Sequence, residues 1–158
     1  MHQTLLFFHS IVRWLVLISL LFSVFRAYRG YHKRTLFSKK DDLVRHLTAT
    51  IAHIQLILGI TLYFKSPAVQ QFFAAGSGSA GITEPLFFGV IHISMMITAI
   101  LILTIGSAVS KRKQADREKF KSMLTWYGLA LIIILAAIPW PFSPLAQRPL
   151  YQTHLNSL

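Results

Sequence analysis

The sequence contains no cysteine, only five acidic residues, and only 13% charged residues in a chain of 158. Without cysteine, the chain cannot form a disulfide framework, an iron–sulfur cluster or a thiolate zinc site. In soluble globular domains about a quarter of the residues are charged. Here 54% are hydrophobic and the mean hydropathy is +0.54, which excludes a soluble globular enzyme. The composition instead predicts a membrane protein.

The basic residues are concentrated in two short segments. Sixteen Lys and Arg give a formal net charge of +11, and all but three of them lie between Arg26 and Arg45 or between Lys111 and Lys121. Short basic segments between apolar ones are typical of cytoplasmic loops under the positive-inside rule. The charge therefore indicates orientation in a lipid bilayer, and no nucleic-acid partner is expected.

Four apolar segments are long enough to cross a hydrocarbon core of about 30 Å, which takes about 20 helical residues. They predict an all-α fold, an integral membrane up-down four-helix bundle, as a single domain over residues 1–158. The first segment is not expected to be a cleaved signal peptide, because its amino end lacks a positive region. The predicted spans are residues 5–25, 47–64, 85–109 and 123–138.

The positions of the loops follow from these spans. The basic loops, residues 26–46 and 110–122, are expected to be cytoplasmic, so both termini face the other side of the membrane. The loop from Ser66 to Thr83 then lies outside as well. It contains Gly76-Ser77-Gly78-Ser79, a composition that predicts a flexible connection.

Three histidines, His9, His53 and His92, fall inside predicted spans. Ionisable residues at this depth are rare and by default suggest a functional site. The spans hold almost no carboxylates, which disfavours a di-iron site or an acidic proton relay. Neutral imidazoles in an apolar bundle suit a metal ion or a haem iron. The alternative is a structural role, in which the imidazoles form hydrogen bonds between helices.

The depths of the histidines favour one pair as haem ligands. At ~1.5 Å per residue, His9 lies roughly 6 Å and His92 roughly 9 Å from the outer edge, whereas His53 lies about 15 Å in. Two axial ligands of a haem held between helices need nearly the same height. We therefore predict that His9 and His92 hold the iron across the bundle. His53 remains an alternative ligand, because helix tilts of about 20° can absorb the difference.

Polar and small residues near these histidines fit a flat anionic ligand. Arg13 lies one turn from His9 on the same face, and the spans offer it no carboxylate, so a haem propionate is its predicted partner. Snorkelling to lipid phosphates is the alternative for Arg13, and Gln55 is expected to hydrogen-bond to a neighbouring helix. One stripe on the third span is predicted to face the interior: Gly89, His92, Met96, Ala99, Leu103 and Gly106.

Motifs from the first three spans and from the segment after the fourth also match a known pattern. They are His9-Ser10-x-x-Arg13-Trp14, His53-Ile54-Gln55-Leu56-x-x-Gly59, His92-x-x-Met95-Met96, Thr104-Ile105-Gly106 and Ile138-Pro139-Trp140-Pro141-Phe142. Over nearly its whole length the chain resembles a family of small four-helix bacterial membrane proteins usually catalogued as cytochrome b. Relatives often carry an acidic residue where this chain has Ile91, so no proton-handling role is expected at that position.

The resemblance implies haem b bound within the bacterial inner (cytoplasmic) membrane, and a role in electron transfer. We expect the protein to carry single electrons, from a quinol to an outer-facing partner protein, and no catalytic residue is assigned. One alternative is a haem-dependent membrane oxidase acting on a porphyrin or another lipid-soluble substrate. The others are a metal-handling protein that uses His9, His53 and His92, and a structural subunit.

Overall fold

The computed structural model describes residues 2–75 and 84–140, and every regular element in these two ranges is helical. Four of the helices are long and apolar enough to cross a membrane, which confirms the predicted all-α fold. The long helices are α1 (His2–Lys33), α2 (Lys39–Lys65), α4 (Glu84–Arg112) and α5 (Asp116–Ala137), and a short helix α3 (Pro67–Ala75) stands between α2 and α4.

The long helices form a ring. Helix α1 packs against α2 and α5, and α4 packs against the same two neighbours, so α1 and α4 face each other diagonally. The interior stripe predicted on α4 is confirmed, because Ala99 and Leu103 are fully buried and Gly89 and Gly106 are buried as well. The fully buried ring of Tyr127 on α5 belongs to the same core.

The loops at the basic end of the bundle are shorter than the sequence predicts. Only residues 34–38 separate α1 from α2, and only residues 113–115 separate α4 from α5. Lysine and arginine are good helix formers, so the helices continue past the apolar spans into the charged segments. Arg34 ends α1 with a positive φ of 51°, and Ser38 begins α2 through a capping box with Asp41.

A buried polar network joins three helices near this basic end. Arg45, only 4% exposed, pairs with Asp42 at 2.8 Å and donates to the carbonyl and the hydroxyl of Ser107 on α4. The Tyr127 hydroxyl on α5 donates to the Arg45 carbonyl at 2.7 Å. Arg45 falls in the loop predicted over residues 26–46, but in the structure it is part of α2 and its guanidinium links α2 to α4.

The opposite end of the bundle is covered in part by α3. The sequence predicts a flexible loop from Ser66 to Thr83, and the first half of this segment is instead helical. Pro67 suits the first position of a helix, since its missing N–H would have no intrahelical partner there. Val69 is buried, and Phe72 lies against Gly89 of α4. The Gly-Ser stretch, residues 76–79, lies outside the described residues.

Candidate functional site

A cavity of about 830 Å³ opens between the helices at the end opposite the basic loops. Its volume is within the range of ~300–1,000 Å³ that is usual for cofactor sites. Helices α1, α2 and α4 form most of its wall, and α3 and Pro139 contribute to its edge. Polar side chains in the largely apolar wall include His9, Arg13, Gln55, Tyr63 and His92. The structure thus brings together both favoured histidines and the predicted arginine.

The ring of His92 is held in one orientation and one tautomer. Its Nδ1 lies 2.8 Å from the carbonyl oxygen of Ala137 on α5. A carbonyl only accepts hydrogen bonds, so Nδ1 must carry the proton and donate it. The lone pair of neutral His92 is then on Nε2, which makes no hydrogen bond within the described residues. Histidines that bind a metal through Nε2 typically donate their Nδ1–H to a carbonyl in this way.

Proline explains why the Ala137 carbonyl is available to His92. Continuing α5 would require an N–H from residue 141, which is a proline and has none. Pro139 frees the carbonyl of Leu135 in the same way, and the indole Nε1 of Trp140 donates to that oxygen at 2.9 Å. Since each freed carbonyl gains a side-chain donor, the Pro-Trp-Pro sequence both ends α5 and orients the imidazole on α4.

The ring of His9 is held by Gln55 across the α1–α2 interface. The Gln55 amide Nε2 donates to the His9 carbonyl at 3.0 Å and lies 3.3 Å from the His9 Nε2. An amide nitrogen only donates, so His9 Nε2 is an acceptor and the imidazole proton is on Nδ1. The prediction that Gln55 hydrogen-bonds to a neighbouring helix is confirmed. His9 therefore has the same tautomer as His92.

Two polar atoms at this interface are buried and have no hydrogen-bond partner among the residues that the structure describes. They are Nδ1 of His9 and Oε1 of Gln55. Such atoms are rare in native proteins and generally mark a site where water or a ligand binds. The 3.3 Å contact between Gln55 and Nε2 is long for a hydrogen bond, so it is the weaker of the two contacts that Gln55 makes with His9.

Two glycines near the cavity, Gly59 and Gly89, leave space for the rings of His9 and Phe72, which pack against them. A Cβ at Gly59 would come within 3.3 Å of Cε1 of His9, and a Cβ at Gly89 would come within 2.8 Å of the Phe72 ring.

Gly89 belongs to a π-helical stretch, Phe87–Ile91, directly before His92. The carbonyl of Gly89 accepts a 2.9 Å hydrogen bond from Tyr63. Single π-turns are frequent at functional sites, and this one sets the rotation of His92 relative to the start of α4.

Arg13 lies on the cavity wall one turn along α1 from His9. Its Nη2 donates to the Ser10 hydroxyl at 3.4 Å, and its guanidinium lies 5.8 Å from the centre of the Trp14 ring. Trp14 makes an edge-to-face contact with Trp140. The two tryptophans therefore link Arg13 to the segment that orients His92. The guanidinium gives this cavity wall a positive charge that can bind an anionic group.

The alternative ligand His53 does not line the cavity. Its side chain is exposed on the outer surface of the bundle, and its Nε2 lies 2.8 Å from the Thr104 hydroxyl of α4. Within residues 2–75 and 84–140, no group of three or more His, Cys, Asp or Glu is placed to hold a metal ion. A haem needs only two protein ligands, whereas an ion-handling site built from all three histidines would need His53 at the cavity.

Comparisons of the chain with protein-family models, with curated proteins and with solved structures found no match. The geometry of the cavity is therefore the main observation that bears on function.

Proposed function

We propose that the protein is a membrane-bound b-type haem protein that transfers single electrons, with the haem in the cavity between His9 and His92. The main support is that both imidazoles line one cavity in the tautomer that leaves a lone pair on Nε2. An imidazole that bound an iron through Nε2 would need this tautomer. The cavity volume and its largely apolar lining also suit a flat aromatic macrocycle.

Each polar residue has a separate role in this proposal. When bound, the haem iron supplies reversible one-electron exchange. His92 donates to the Ala137 carbonyl and keeps its Nε2 lone pair directed away from that bond. Gln55 holds the His9 carbonyl at 3.0 Å, and its longer 3.3 Å contact with His9 Nε2 would be given up if that nitrogen held the iron. Arg13 offers a charge-assisted hydrogen bond to a propionate. The apolar wall excludes water, and this burial is one of the factors that set the reduction potential.

We further propose that the protein resides in the bacterial cytoplasmic membrane with both termini outside, taking electrons from a quinol and passing them to an outer-facing acceptor protein. The basic residues at one end of the bundle support this orientation. The cavity, at the other end, would then be near the outer surface, where an acceptor protein can approach it.

A haem-dependent oxidase would use the same cavity, but no additional feature of the described residues favours that reaction.

The orientation is tested with reporters inserted in the loop at Leu36, which is 81% exposed. We expect a reporter that is active only in the cytoplasm to work at this position and one that is active only outside to fail, because the flanking helices carry the basic residues that are retained inside. Fusions before His2 should give the opposite pattern. An external signal from the Leu36 insertion would refute the proposed topology.

The cofactor is tested by a reduced-minus-oxidised optical spectrum of protein purified after expression with ample haem, combined with a pyridine haemochrome assay. We expect sharp b-type bands and about one haem per chain, since two histidines can hold one iron. A colourless protein with no haem would refute the proposed function. Metal analysis of that colourless sample would then separate ion binding from a purely structural role.

A further inference from the structure

The imidazole of His53 lies on the lipid-facing surface, where α2 and α4 meet. It is eight residues beyond Arg45 along α2, or about 12 Å from the charged end of the bundle. This position falls within the predicted apolar span, where water is scarce. A polar group exposed to hydrocarbon is costly unless it has a partner. The cavity does not include His53, so the proposed haem site does not explain it.

The hydrogen bonds of Thr104 determine which His53 nitrogen carries the proton. The Thr104 hydroxyl lies 2.7 Å from the carbonyl of Ile100 and 2.8 Å from His53 Nε2. The carbonyl only accepts, so the single hydroxyl hydrogen is donated to Ile100. The Thr104 oxygen must then accept from an N–H at His53 Nε2. This leaves the lone pair of His53 on Nδ1, which has no hydrogen-bond partner within the described residues.

We infer that the His53 Nδ1 is the hydrogen-bond acceptor of a binding site for a lipid-soluble quinol on the α2–α4 surface. A phenolic hydroxyl supplies the donor that Nδ1 lacks, and quinols, unlike lipid headgroups, reach this depth of the bilayer. The exposed side chains of Ile57 and Leu101, one turn from His53 and from Thr104, provide apolar surface for a ring and its tail. The inference names the electron donor of the proposed function and rests on that function for its role.

The route from this site to the cavity is short. Ile100, whose carbonyl accepts the Thr104 hydrogen bond, also lines the inner part of the cavity, as does Leu56 on α2. A ligand at His53 would therefore be separated from the cavity by the thickness of one helix, about 10 Å with its side chains.

The chemistry of an acceptor site predicts a preference between redox forms. A quinol has two hydroxyl donors, whereas a quinone or a quinol dimethyl ether has none. The test measures binding of a short-chain benzoquinol, its quinone and its dimethyl ether to the purified protein in detergent, by calorimetric titration under anaerobic conditions. We expect the quinol to bind about three- to tenfold more tightly than the other two, the effect of one hydrogen bond. Equal affinity for all three would overturn the inference.

Matched variants separate the role of Nδ1 from a general surface effect. His53→Phe should weaken quinol binding about three- to tenfold, whereas His53→Gln, which retains both a donor and an acceptor, should preserve most of it. His46→Phe alters another exposed histidine of α2 and should have no effect. Unchanged affinity in His53→Phe would overturn the inference, and since His53 is exposed this variant is expected to fold.

Haem content measured on the same samples distinguishes this inference from the proposed function. If haem is present but quinol affinity does not depend on His53, the quinol site is wrong and the haem proposal stands. If the protein contains no haem and quinol binding still depends on His53, the electron-transfer function is wrong and the binding site stands.

Discussion

Replacing His92 with alanine is expected to abolish the low-spin b-type spectrum and to lower the haem content at least about tenfold. Even residues that only orient a ligand typically contribute about 10- to 100-fold to metal affinity, and His92 is proposed to be a ligand itself. Its ring is fixed by the Ala137 carbonyl at 2.8 Å, so alanine at this position removes both the Nε2 ligand and the contact that orients it. The measurement is haem per chain by pyridine haemochrome, together with the optical spectrum.

Variants at the other histidines test the ligand pair. His9→Ala should cause a comparable loss, while His46→Ala, at an exposed position outside the cavity, should retain full occupancy. His53→Ala should also retain haem, because its side chain does not reach the cavity. A full Soret band in His92→Ala would disprove the assignment. Loss of haem in His53→Ala but not in His9→Ala would show instead that His53 and His92 form the pair.

The sequence alone was sufficient to predict the membrane-spanning helices and which face of α4 is buried. Apolar length and helical spacing determine these features, so they can be read without knowing the neighbours of each residue. The relative heights of His9 and His92 are estimated in the same way, from rise per residue and the alternating direction of the spans, and their pairing as iron ligands stays a prediction. The structure places both residues in the lining of one cavity.

The ends of the helices were predicted less well. The positive charge of the segment from Arg26 to Arg45 predicts where the chain meets water, but this does not determine where the helix ends. Lys33 and Lys39 remain helical because a charged side chain can be solvated without interrupting the backbone hydrogen bonds. Arg45 is a stronger example of a charged residue that is not in a loop. Its position in a basic segment predicts a loop, but its guanidinium is buried and donates to the Ser107 carbonyl.

The orienting contacts of the site depend on neighbours that are distant in sequence. The Ala137 carbonyl that holds His92 is 45 residues away along the chain, and no periodic pattern relates the two. The sequence contains one indication of this contact, because Pro141 has no N–H to donate and so predicts that the Ala137 carbonyl, four residues earlier, has no intrahelical partner. The π-turn before His92 has no comparable signature, since Phe87–Ile91 contains residues that an ordinary helix also accepts.

Packing of α4 against α5 depends on the absence of a side chain at Gly106. A Cβ built there meets Cβ and Cγ of Trp126. The Cβ of Trp126 is fixed to the backbone and cannot rotate away, so the two helices would have to separate. Gly128, in the middle of α5, has nothing within 4 Å of a Cβ built on it. The two glycines therefore provide a matched pair, one at a tight interface and one facing open space.

We expect Gly106→Ala to destabilise the folded bundle by about 1–3 kcal/mol, the usual cost of overpacking. Gly128→Ala should stabilise it by about 0.5–1 kcal/mol, because alanine is the better helix former and meets no obstacle. The measurement is the midpoint of thermal unfolding in detergent, followed by circular dichroism for the parent and both variants. Because α5 also carries the carbonyl that orients His92, Gly106→Ala should release haem at a lower temperature than the parent. Shifts of the same sign and size in the two variants would show that the α4–α5 distance is not limited by this contact.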